Sequence, residues 1–501
     1  MNQLTLPAVF RDGMVLQRQK PICAWGTAEN GARISVTLGT DIAWAEASDG
    51  KWRLYLPPLE AGTDLTLRVS AGEQTIVVQD VAVGEVWLAG GQSNMEFLLR
   101  DDAEHAEACQ FTDACVRCFE VPKIAYEGQE ADRDYSQVGI WREARPGDSE
   151  FFTAVGFYFA RELRESLNVP IGIINCTWGG TSASAWVPEE DLTGELSFYL
   201  NRAAEAREKL DPATEKEAYK DIQRMMDALP PMNAIVNEHP LAATEEMKAS
   251  MARMDLYNLC AYSPFRPCGL FHTMLMTVVP YSLRGILWYQ GESDEYFGGL
   301  YEPLTRALIR RWRSLWHEEL PFLMVQLASF EYMMEPLDFV PIRAMQQRIA
   351  EDTPGVRLVC AMDAGLRYDI HPKHKRPIGR RLALQALRHV YGRPVLSDSP
   401  SLRGIRLEDG ELVLSFRHGE GLHVKGDAPR FLELIVDGHP EEAFTAVLRE
   451  ECMVLRAPSL ARARNAEVRF AWKPFCEDNV YNRADLPVLP FRAVWPPENA
   501  G

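Results

Sequence analysis

A serine stands where an apolar strand gives way to a polar segment. Residues 83–91 form a largely apolar run that ends in two glycines, and Gln92, Ser93 and Asn94 follow at a position where a helix can begin. A serine on such a tight corner presents its hydroxyl away from the sheet, while nearby main-chain N–H groups face any negative charge that develops. That geometry suits a nucleophile at Ser93, although the corner taken alone favours a serine that simply caps a helix. Met95 replaces the second glycine of a G-x-S-x-G elbow, so this corner is of another kind.

A histidine paired with a carboxylate occurs much later in the chain. Asp369 and His371 lie two residues apart in the stretch DIHP. A nucleophilic serine needs a base, and a histidine base needs an acceptor that sets its tautomer and stabilises its cation. An Asp-x-His pair is also common in surface turns. Its occurrence together with Ser93 favours a catalytic pair.

Both groups depend on a sheet to bring them together. Five apolar segments have the composition of buried strands, namely residues 85–90, 170–178, 284–290, 321–329 and 356–363. Amphipathic helical patterns, such as 153–168 and 378–390, separate them, as expected for a parallel sheet covered by helices. Ligands bind beyond the carboxyl ends of such strands. Four of the five strands are followed by segments rich in polar or glycine residues, namely 90–95, 179–186, 291–294 and 364–375.

The pattern of predicted strands and helices changes twice along the chain and predicts three domains. Short alternating strands with turn residues between them indicate a β-sandwich over residues 1–82, and β-rich character returns over 396–501. The α/β pattern fills residues 83–395. A polar, Lys/Glu-rich helical insertion at about 200–255 interrupts it and is either a lid or a solvated excursion.

Charge and composition exclude several classes. The chain of 501 residues has 71 acidic and 53 basic residues and a formal charge of −18, which argues against nucleic acid as the main partner. No stretch approaches a membrane span, and the first residues lack an apolar signal core. The sequence as it stands predicts a cytoplasmic protein with no membrane partner, or a secreted or periplasmic one if a leader was removed.

The cysteine pattern does not suggest a metal or a disulfide framework. Ten cysteines are scattered and mostly lie in apolar runs, which predicts reduced core thiols. Cys115 and Cys118 form a lone CxxC, for which a metal or redox role is the less favoured alternative. His371 and His374 are the other spacing that could suggest a metal. We expect no metal and no cofactor.

Four sequence blocks stand out by their order and spacing, namely GEVWLAGGQSNMEF (84–97), VPIGIINCTWGGTSASAW (169–186), GILWYQGESD (285–294) and DIHPKHKRPIGRRLAL (369–384). Together they resemble the sialate O-acetylesterase family of the SGNH-type hydrolases. The resemblance covers nearly the whole chain apart from the insertion. It implies a flavodoxin-like three-layer α/β esterase domain with flanking β-sandwich elements, which removes acetyl groups from sugar hydroxyls.

The resemblance also assigns roles to residues. Ser93 matches the nucleophile and His371 the base, with Asp369 as orienting acid. Gly180, or its neighbour Gly179, matches the glycine that joins the Ser93 N–H in the oxyanion hole, and Gln290 occupies the block of a third oxyanion donor. The family spacing is usually Asp-x-x-His, whereas one residue separates the pair here. Glu292 and Asp363 are therefore alternatives to Asp369.

Substrate contacts are expected from a further set of side chains. Glu292 either braces its loop or transfers a proton near the substrate. Trp178 is a candidate for stacking on a sugar, as are Trp186 and Trp288, with a core position as the alternative. Arg343, at the start of a helix with Gln346, is expected to line the cleft. Arg343, Arg367 and Lys373 are the candidate cations for a sialate carboxylate.

Three functions remain open from the sequence. The favoured one is a serine esterase acting on O-acetylated sialic acids as small molecules or oligosaccharides. The alternatives are an esterase for acetylated xylan or another neutral glycan, and a non-catalytic carbohydrate-binding protein. The oligomeric state is not predicted.

Overall fold

The structure is a computed structural model that describes residues 3–131, 138–227, 256–331 and 337–496. These residues form two compact units. The first contains the described residues up to 322 together with 373–379, and the second contains those of 323–372 and 380–496. The latter part of the predicted insertion, 228–255, lies outside the described residues. The three-part division predicted from the sequence stays a prediction.

The amino-terminal part of the first unit is made of short strands. They are β1 Val15–Gln17, β2 Ile22–Thr27, β3 Arg33–Leu38, β4 Asp41–Glu46, β5 Lys51–Leu56, β6 Gly62–Ala71 and β7 Gln74–Gly91. Strand β5 alternates between exposed residues and the buried Trp52, Leu54 and Leu56, as expected for a strand with one solvated face. Strands β2 and β5 pair with each other, and β3 pairs with both β4 and β6.

Strand β7 belongs to two sheets. Its beginning pairs antiparallel with β6, and residues 85–91 pair in parallel with the core of the α/β sheet. The boundary expected near residue 82 therefore lies within one continuous strand. The corner that carries Ser93 is directly joined to the preceding sheet.

The α/β sheet of the first unit is formed by β7 and four later strands. These are β8 Asp113–Glu120, β9 Trp141–Ala144, β10 Ile171–Thr177 and β11 Gly285–Tyr289. Strand β7 lies between β10 and β11, and all three are parallel. Strand β8 continues the parallel sheet beyond β10, and β9 closes it in the antiparallel direction. All residues of β10 and β11 are buried, as in a sheet covered on both faces. The sequence analysis identified β10 and β11 but missed β8 and β9.

Connections leave β7 toward both sides of the sheet. The next parallel neighbour in one direction is β10, and in the other direction it is β11, which occurs later in the chain. This arrangement makes the carboxyl end of β7 a topological switch point, where a crevice forms in open α/β sheets. Gln92 and then Ser93 follow β7.

The described residues also form α-helices. They are α1 Ser93–Glu96, α2 His105–Ala108, α3 Ala154–Leu167, α4 Ser197–Lys209, α5 Glu215–Asp227, α6 Met276–Val278, α7 Gly298–Trp316, α8 Val340–Asp352 and α9 Arg376–His389. The predicted helix at 153–168 corresponds to α3. Thr153 caps its amino end by accepting a hydrogen bond from Gly156, and Asn168 ends it in the left-handed conformation.

The second unit contains two short strands of α/β type and a β-rich region. The two strands are β12 Phe322–Val325 and β13 Val356–Val359. The β-rich strands are β14 Ser401–Glu408, β15 Glu411–Arg417, β16 His423–Val424, β17 Leu432–Val436, β18 His439–Glu441, β19 Thr445–Arg449, β20 Cys452–Arg456, β21 Ala466–Phe470, β22 Val480–Tyr481 and β23 Phe491–Trp495. Leu414, Phe416, Val468 and Phe470 are among the residues of their shared core. The fold is thus α/β with a mixed sheet and flanking β-rich sheets.

The cysteines are free thiols. Cys115 and Cys118 both lie on β8, and burial raises the pKa of both thiols. A raised pKa keeps a thiol protonated and disfavours both nucleophilic and metal-ligand chemistry. Within the described ranges, no group of three or more His, Cys, Asp or Glu residues is arranged to hold a metal. No helix found there is long and apolar enough to span a bilayer.

Candidate active site

Ser93 begins the short helix α1 at the carboxyl end of β7. The residue before it, Gln92, occupies the N-cap position and caps through no side-chain hydrogen bond. Ser93 is the first helical residue, so helix capping does not explain why a serine occurs here. It is 8% exposed. A serine with this placement retains access to a small substrate.

Two glycines make the corner possible. Gly91 has a φ of 132°, and a Cβ added to it would lie 2.2 Å from the carbonyl oxygen of Tyr289. A Cβ on Gly90 would lie 2.9 Å from the Trp312 ring. Because any side chain at Gly91 meets main-chain atoms of the adjacent strand, only glycine permits the sharp departure from the sheet.

A second glycine turn lies against the serine. Gly179 and Gly180 follow β10, and a Cβ on Gly179 would lie 3.3 Å from the Ser93 Cβ. The Gly179 N–H donates to Glu96 Oε2 at 2.5 Å, whereas the Gly180 N–H has no acceptor among the described residues. Gly180 has a φ of 73°, the left-handed conformation that glycine adopts readily. Of the two glycines expected from the sequence, Gly180 is the one with a main-chain donor available for an oxyanion.

Glu96 connects the serine helix to this turn. Its carboxylate accepts the Gly179 N–H and pairs with the Lys123 ammonium. Lys123 Nζ lies 5.7 Å above the ring of Trp178, which is half-buried. Trp178 thus stands next to the glycine turn with a cation against its face, a position suited to a ligand contact. Trp186 and Trp288 are both fully buried, so they are core residues.

The Gln290 amide is directed into the protein. Its Nε2 donates to Asp294 Oδ2 at 2.5 Å, to the Thr181 carbonyl at 3.2 Å and to Gln92 Oε1 at 3.3 Å. Gln290 is fully buried. Because protein acceptors already engage this amide, its placement gives no support to the oxyanion role expected from the sequence.

Glu292 belongs to a buried network that the sequence analysis did not detect. Asn94 Nδ2 donates to Glu292 Oε1 at 2.6 Å, and Lys375 Nζ donates to Asn94 Oδ1 at 2.5 Å. Glu292 is 6% exposed, and no described residue donates a hydrogen bond to its Oε2. Burial raises the pKa of the Glu292 carboxyl, while the Asn94 hydrogen bond and the Lys375 charge act in the opposite direction. Asn94 and Lys375 were visible in two of the four sequence blocks, but neither had a spacing that indicated a partner.

His371 and Asp369 lie in the second unit. Asp369 Oδ1 accepts the main-chain N–H of His371 at 2.9 Å and lies 3.9 Å from His371 Nδ1. The first contact is a hydrogen bond of an Asx turn, and the second exceeds hydrogen-bond length. Asp369 therefore shapes the loop that carries the histidine.

The alternative acid Asp363 is engaged elsewhere in the same unit. Both of its oxygens accept from the Arg381 guanidinium at 2.7 Å, and the Tyr481 hydroxyl donates to it at 3.2 Å. A bidentate pair of this kind occupies the carboxylate. Its contacts give no support to a role in orienting His371.

The candidate cations differ in placement. Arg343 is 1% exposed and donates to the main-chain carbonyls of Leu327, Ala328, Lys473 and Pro474. A buried guanidinium with these acceptors braces the main chain, so Arg343 does not line a cleft as expected. Arg367 is exposed and pairs with Glu331 at 3.0 Å. Lys373 is half-buried in the first unit, with its Nζ 5.5 Å from the centre of the Phe97 ring.

Comparisons with known proteins identify the family. A family model for carbohydrate esterases, described as sialic acid-specific acetylesterase, matches residues 271–388. The sialate O-acetylesterases of Rattus norvegicus and Homo sapiens are 26% and 25% identical, over 96% and 85% of this chain and 92% and 78% of their own. A carbohydrate acetylesterase structure from Xanthomonas citri is 30% identical with a TM-score of 0.76, and the match covers 98% of this chain and 99% of that one. The chain belongs to this family of carbohydrate esterases.

The matches to the carbohydrate esterase family cover the candidate residues of both units. The family model spans Gln290, Glu292, Asp369 and His371. Ser93 and Gly180 precede it, and the match to the Xanthomonas citri enzyme covers nearly the whole chain. The protein is therefore an esterase by family, and its site must account for ester hydrolysis.

Proposed function

We propose that the protein is a serine esterase that removes O-acetyl groups from sugars, with O-acetylated sialic acids as its substrates. The observation that carries the proposal is the arrangement at the end of β7, where Ser93 starts a helix with the Gly179 and Gly180 turn packed against its Cβ. A nucleophile and a main-chain donor are adjacent there. The relatives named as sialate O-acetylesterases support the substrate class.

The reaction follows from the roles of these groups. Ser93 Oγ attacks the acetyl carbonyl carbon while His371 accepts the hydroxyl proton. The tetrahedral intermediate collapses, the bond to the sugar oxygen breaks, and His371 returns the proton to that oxygen. Water, deprotonated by His371, then attacks the acetyl carbonyl carbon of the acetyl-enzyme. The bond between that carbon and Ser93 Oγ breaks, His371 returns the proton to Oγ, and acetate leaves. Ser93 supplies the proton of the first step and water supplies that of the second, with His371 carrying both, so the proposal includes no cofactor or metal.

The negative charge of each intermediate is stabilised by main-chain donors. The N–H groups of Ser93 and Gly180 are proposed to form the oxyanion hole. Glu96 contributes indirectly because its carboxylate holds the neighbouring Gly179 N–H. The positive end of α1 adds little, since the helix has only four residues.

His371 requires an acid that sets its orientation, and two carboxylates are candidates. Asp369 is the family-based choice and lies in the same loop. Glu292 is the alternative, because its Oε2 accepts no hydrogen bond from the described residues and lies in the site of the first unit. Asp363 is not proposed, given its pairing with Arg381.

The fold is proposed to be the flavodoxin-like form found in SGNH hydrolases. In the first unit, the strand that precedes Ser93 lies between the strand that precedes Gly180 and the strand that precedes Gln290. Counting only these strands, their spatial order is 2-1-3. This order agrees with the doubly wound arrangement in which the first strand is central.

A sialate carboxylate needs a local cation in a chain with a charge of −18. Lys373 is proposed for this contact because it is partly exposed and follows the DIHP motif. Arg367 is the second candidate. Trp178 is proposed to contact a sugar face next to the glycine turn.

The test compares Ser93→Ala with Ser415→Ala, a serine on β15 of the second unit. Acetate release would be measured from 9-O-acetyl sialic acid and from an acetylated xylo-oligosaccharide. We expect Ser93→Ala to lose on the order of 10³-fold or more in kcat, and Ser415→Ala to stay near wild type. Folded Ser93→Ala protein with full activity would contradict the serine mechanism. A wild-type preference for the xylo-oligosaccharide would instead indicate a neutral-glycan esterase.

A further inference from the structure

A fully buried lysine lies beside the serine helix. Lys375 immediately precedes α9 and is 0% exposed. Its Nζ donates to Asn94 Oδ1 at 2.5 Å and lies 4.8 Å from the centre of the Phe97 ring and 5.6 Å from that of Tyr289. Its main-chain N–H donates to Asp102 Oδ2 at 2.9 Å. A buried ammonium is costly unless it is hydrogen-bonded and balanced by an opposite charge, so its presence at this position calls for an explanation.

The balancing charge is reached through an amide. Asn94 accepts from the Lys375 ammonium with Oδ1 and donates to the Glu292 carboxylate with Nδ2. An ammonium can only donate and a carboxylate can only accept, so the orientation of the amide follows from its two partners. Each charged hydrogen bond polarises the amide in the direction that strengthens the other. We refer to Lys375, Asn94 and Glu292 as the buried relay.

The buried relay joins three distant segments at the nucleophile corner. Asn94 and Glu292 are 198 positions apart in the chain, and Asn94 and Lys375 are 281 apart. Asn94 follows Ser93 directly within α1, which has four residues and is too short to be stable without outside contacts. The Lys375 ammonium contacts Asn94, the residue after Ser93, and the ring of Phe97, the C-cap residue of α1. It therefore holds α1 at both ends.

We propose that Lys375 is a positioning residue for the nucleophile, which acts through Asn94 and Glu292 to hold Ser93 in its attacking orientation. The inference rests on the proposed serine mechanism. Lys375 need not touch the substrate, because its effect is on the geometry of α1. A displacement of about 1 Å at a reacting group can reduce a rate on the order of 10²-fold.

The relay also sets the charge around Glu292. Lys375 favours the ionised form of this carboxyl, and the nearby Asp294 carboxylate disfavours that form. Loss of the ammonium should therefore move the acid limb of any Glu292-dependent pH profile toward higher pH. A lysine whose ammonium does not act on Glu292 would leave the limb in place.

The experiment measures how fast a fluorophosphonate modifies Ser93. In this reaction the serine oxygen bonds to phosphorus and fluoride leaves, and mass spectrometry locates the adduct. The variants are Lys375→Met, Asn94→Ala and the double variant. Lys20→Met is the matched control, since Lys20 Nζ is also largely buried and donates to the Leu283 carbonyl at 2.7 Å, before the amino end of β11.

We expect Lys375→Met to lower both the modification rate and kcat on the order of 10²-fold, with KM changed less than threefold. Asn94→Ala should have a similar effect, and the double variant should add less than threefold, because both changes break one relay. Lys20→Met should lose stability but keep its rate.

Several results would overturn the inference. A Lys375→Met rate within threefold of wild type, or additive effects in the double variant, would show that the lysine does not act through Asn94. If Lys375→Met fails to fold, Asn94→Ala alone decides the question, and a wild-type rate in that variant would reject the relay. Absence of any adduct at wild-type Ser93 is a different failure, since it would reject the serine mechanism and the inference with it.

Discussion

Two carboxylates compete for one role at the residue scale. Asp369 bonds to the main chain of the histidine loop, with its oxygen 3.9 Å from His371 Nδ1. Glu292 is buried and has one oxygen that accepts no hydrogen bond from the described residues. The contacts of Asp369 are those of a residue that stabilises a loop. Glu292 has a carboxylate oxygen that could accept a hydrogen bond from a histidine. Substitution separates them, because a loop acid and an orienting acid affect different parameters.

His371→Ala should reduce kcat on the order of 10³-fold or more, and adding it to Ser93→Ala should cause little further loss, because the two act as a unit. Asp369→Asn and Glu292→Gln would then be compared by steady-state kinetics. The orienting acid is the one whose amide variant lowers kcat by at least about 10²-fold with little change in KM. Because Glu292 also belongs to the buried relay, the loss in Glu292→Gln must persist when it is added to Asn94→Ala. If only Glu292→Gln has this effect, the family-based choice of Asp369 is wrong.

Gly180 permits a sharper test of the oxyanion hole. An alanine there would adopt an unfavourable φ of 73°, and its Cβ would lie 3.0 Å from the Phe265 ring. The resulting shift of its N–H should lower kcat on the order of 10²-fold. Gly194→Ala is the control, since Gly194 has a φ of 61° and no atom within 4 Å of an added Cβ. Equal kinetic losses in both variants would attribute the effect to backbone strain alone.

At the element scale, the serine helix α1 depends on its neighbours. Helix α3 contributes directly: the Thr153 hydroxyl donates to the Met95 carbonyl at 2.5 Å, and the Ala154 N–H donates to the Phe97 carbonyl at 2.8 Å. Glu96 ties α1 to the glycine turn, and the buried relay ties it to two further segments. A four-residue helix thus acquires a defined orientation from tertiary contacts rather than from its own hydrogen bonds.

Thr153→Ala should therefore affect both stability and catalysis. It removes the cap of α3 and the hydrogen bond to Met95, so we expect the free energy of unfolding to fall by about 1 kcal/mol and kcat to decrease severalfold. Thr153→Ser keeps the hydroxyl and should retain most of both. Denaturant titration and kinetics on the same preparations would check this. Loss of stability with unchanged kcat would limit Thr153 to its capping role.

At the scale of the whole molecule, the chain carries a large negative charge but buries carboxylates in both units. In the second unit, burial raises the pKa of Asp478 well above its ordinary value. Its Oδ1 accepts the Val480 N–H at 3.0 Å, and its Oδ2 accepts no hydrogen bond from the described residues. Ionisation of this group therefore costs stability in the folded state.

Asp478→Asn should stabilise the protein near neutral pH. Because the folded state holds this proton to higher pH than the unfolded chain does, the free energy of unfolding declines as pH rises from the ordinary aspartate range through the raised pKa. The amide removes that decline, and we expect a gain of about 1 kcal/mol at pH 7. Urea titrations from pH 4 to 8 would measure it.

Asp437→Asn should change the free energy of unfolding in the opposite direction to Asp478→Asn. Hydrogen bonds from the main-chain N–H groups of Asn465 and Arg464 lower the pKa of Asp437, so its stabilising effect is present at neutral pH and lost in acid. This variant should be less stable than wild type at pH 7. Lower stability of Asp478→Asn at the same pH would contradict the assignment of Asp478 as a destabilising buried carboxylate.

The amino-acid sequence alone determined the α/β pattern, the flanking β-rich segments and the family. The family is recognised from short blocks, such as GGQSNM and DIHP, each of which spans only a few residues. The secondary-structure pattern depends on local periodicity. The strands at β10 and β11 and the helix at α3 were predicted for this reason. Strands β8 and β9 were missed because neither forms a long apolar run.

Only the tertiary structure decided which of the candidate polar side chains are held by buried partners. Gln290 and Arg343 have side chains that could bind a ligand. In the structure both donate hydrogen bonds to buried protein acceptors. Lys375 has no sequence feature that marks it, yet it contacts Asn94, the residue after Ser93. A hydrogen bond between residues hundreds of positions apart leaves no local periodicity, because its partners are set by how strands and loops pack. The packing therefore determines which polar side chains have protein partners that stabilise the fold and which remain available to a substrate.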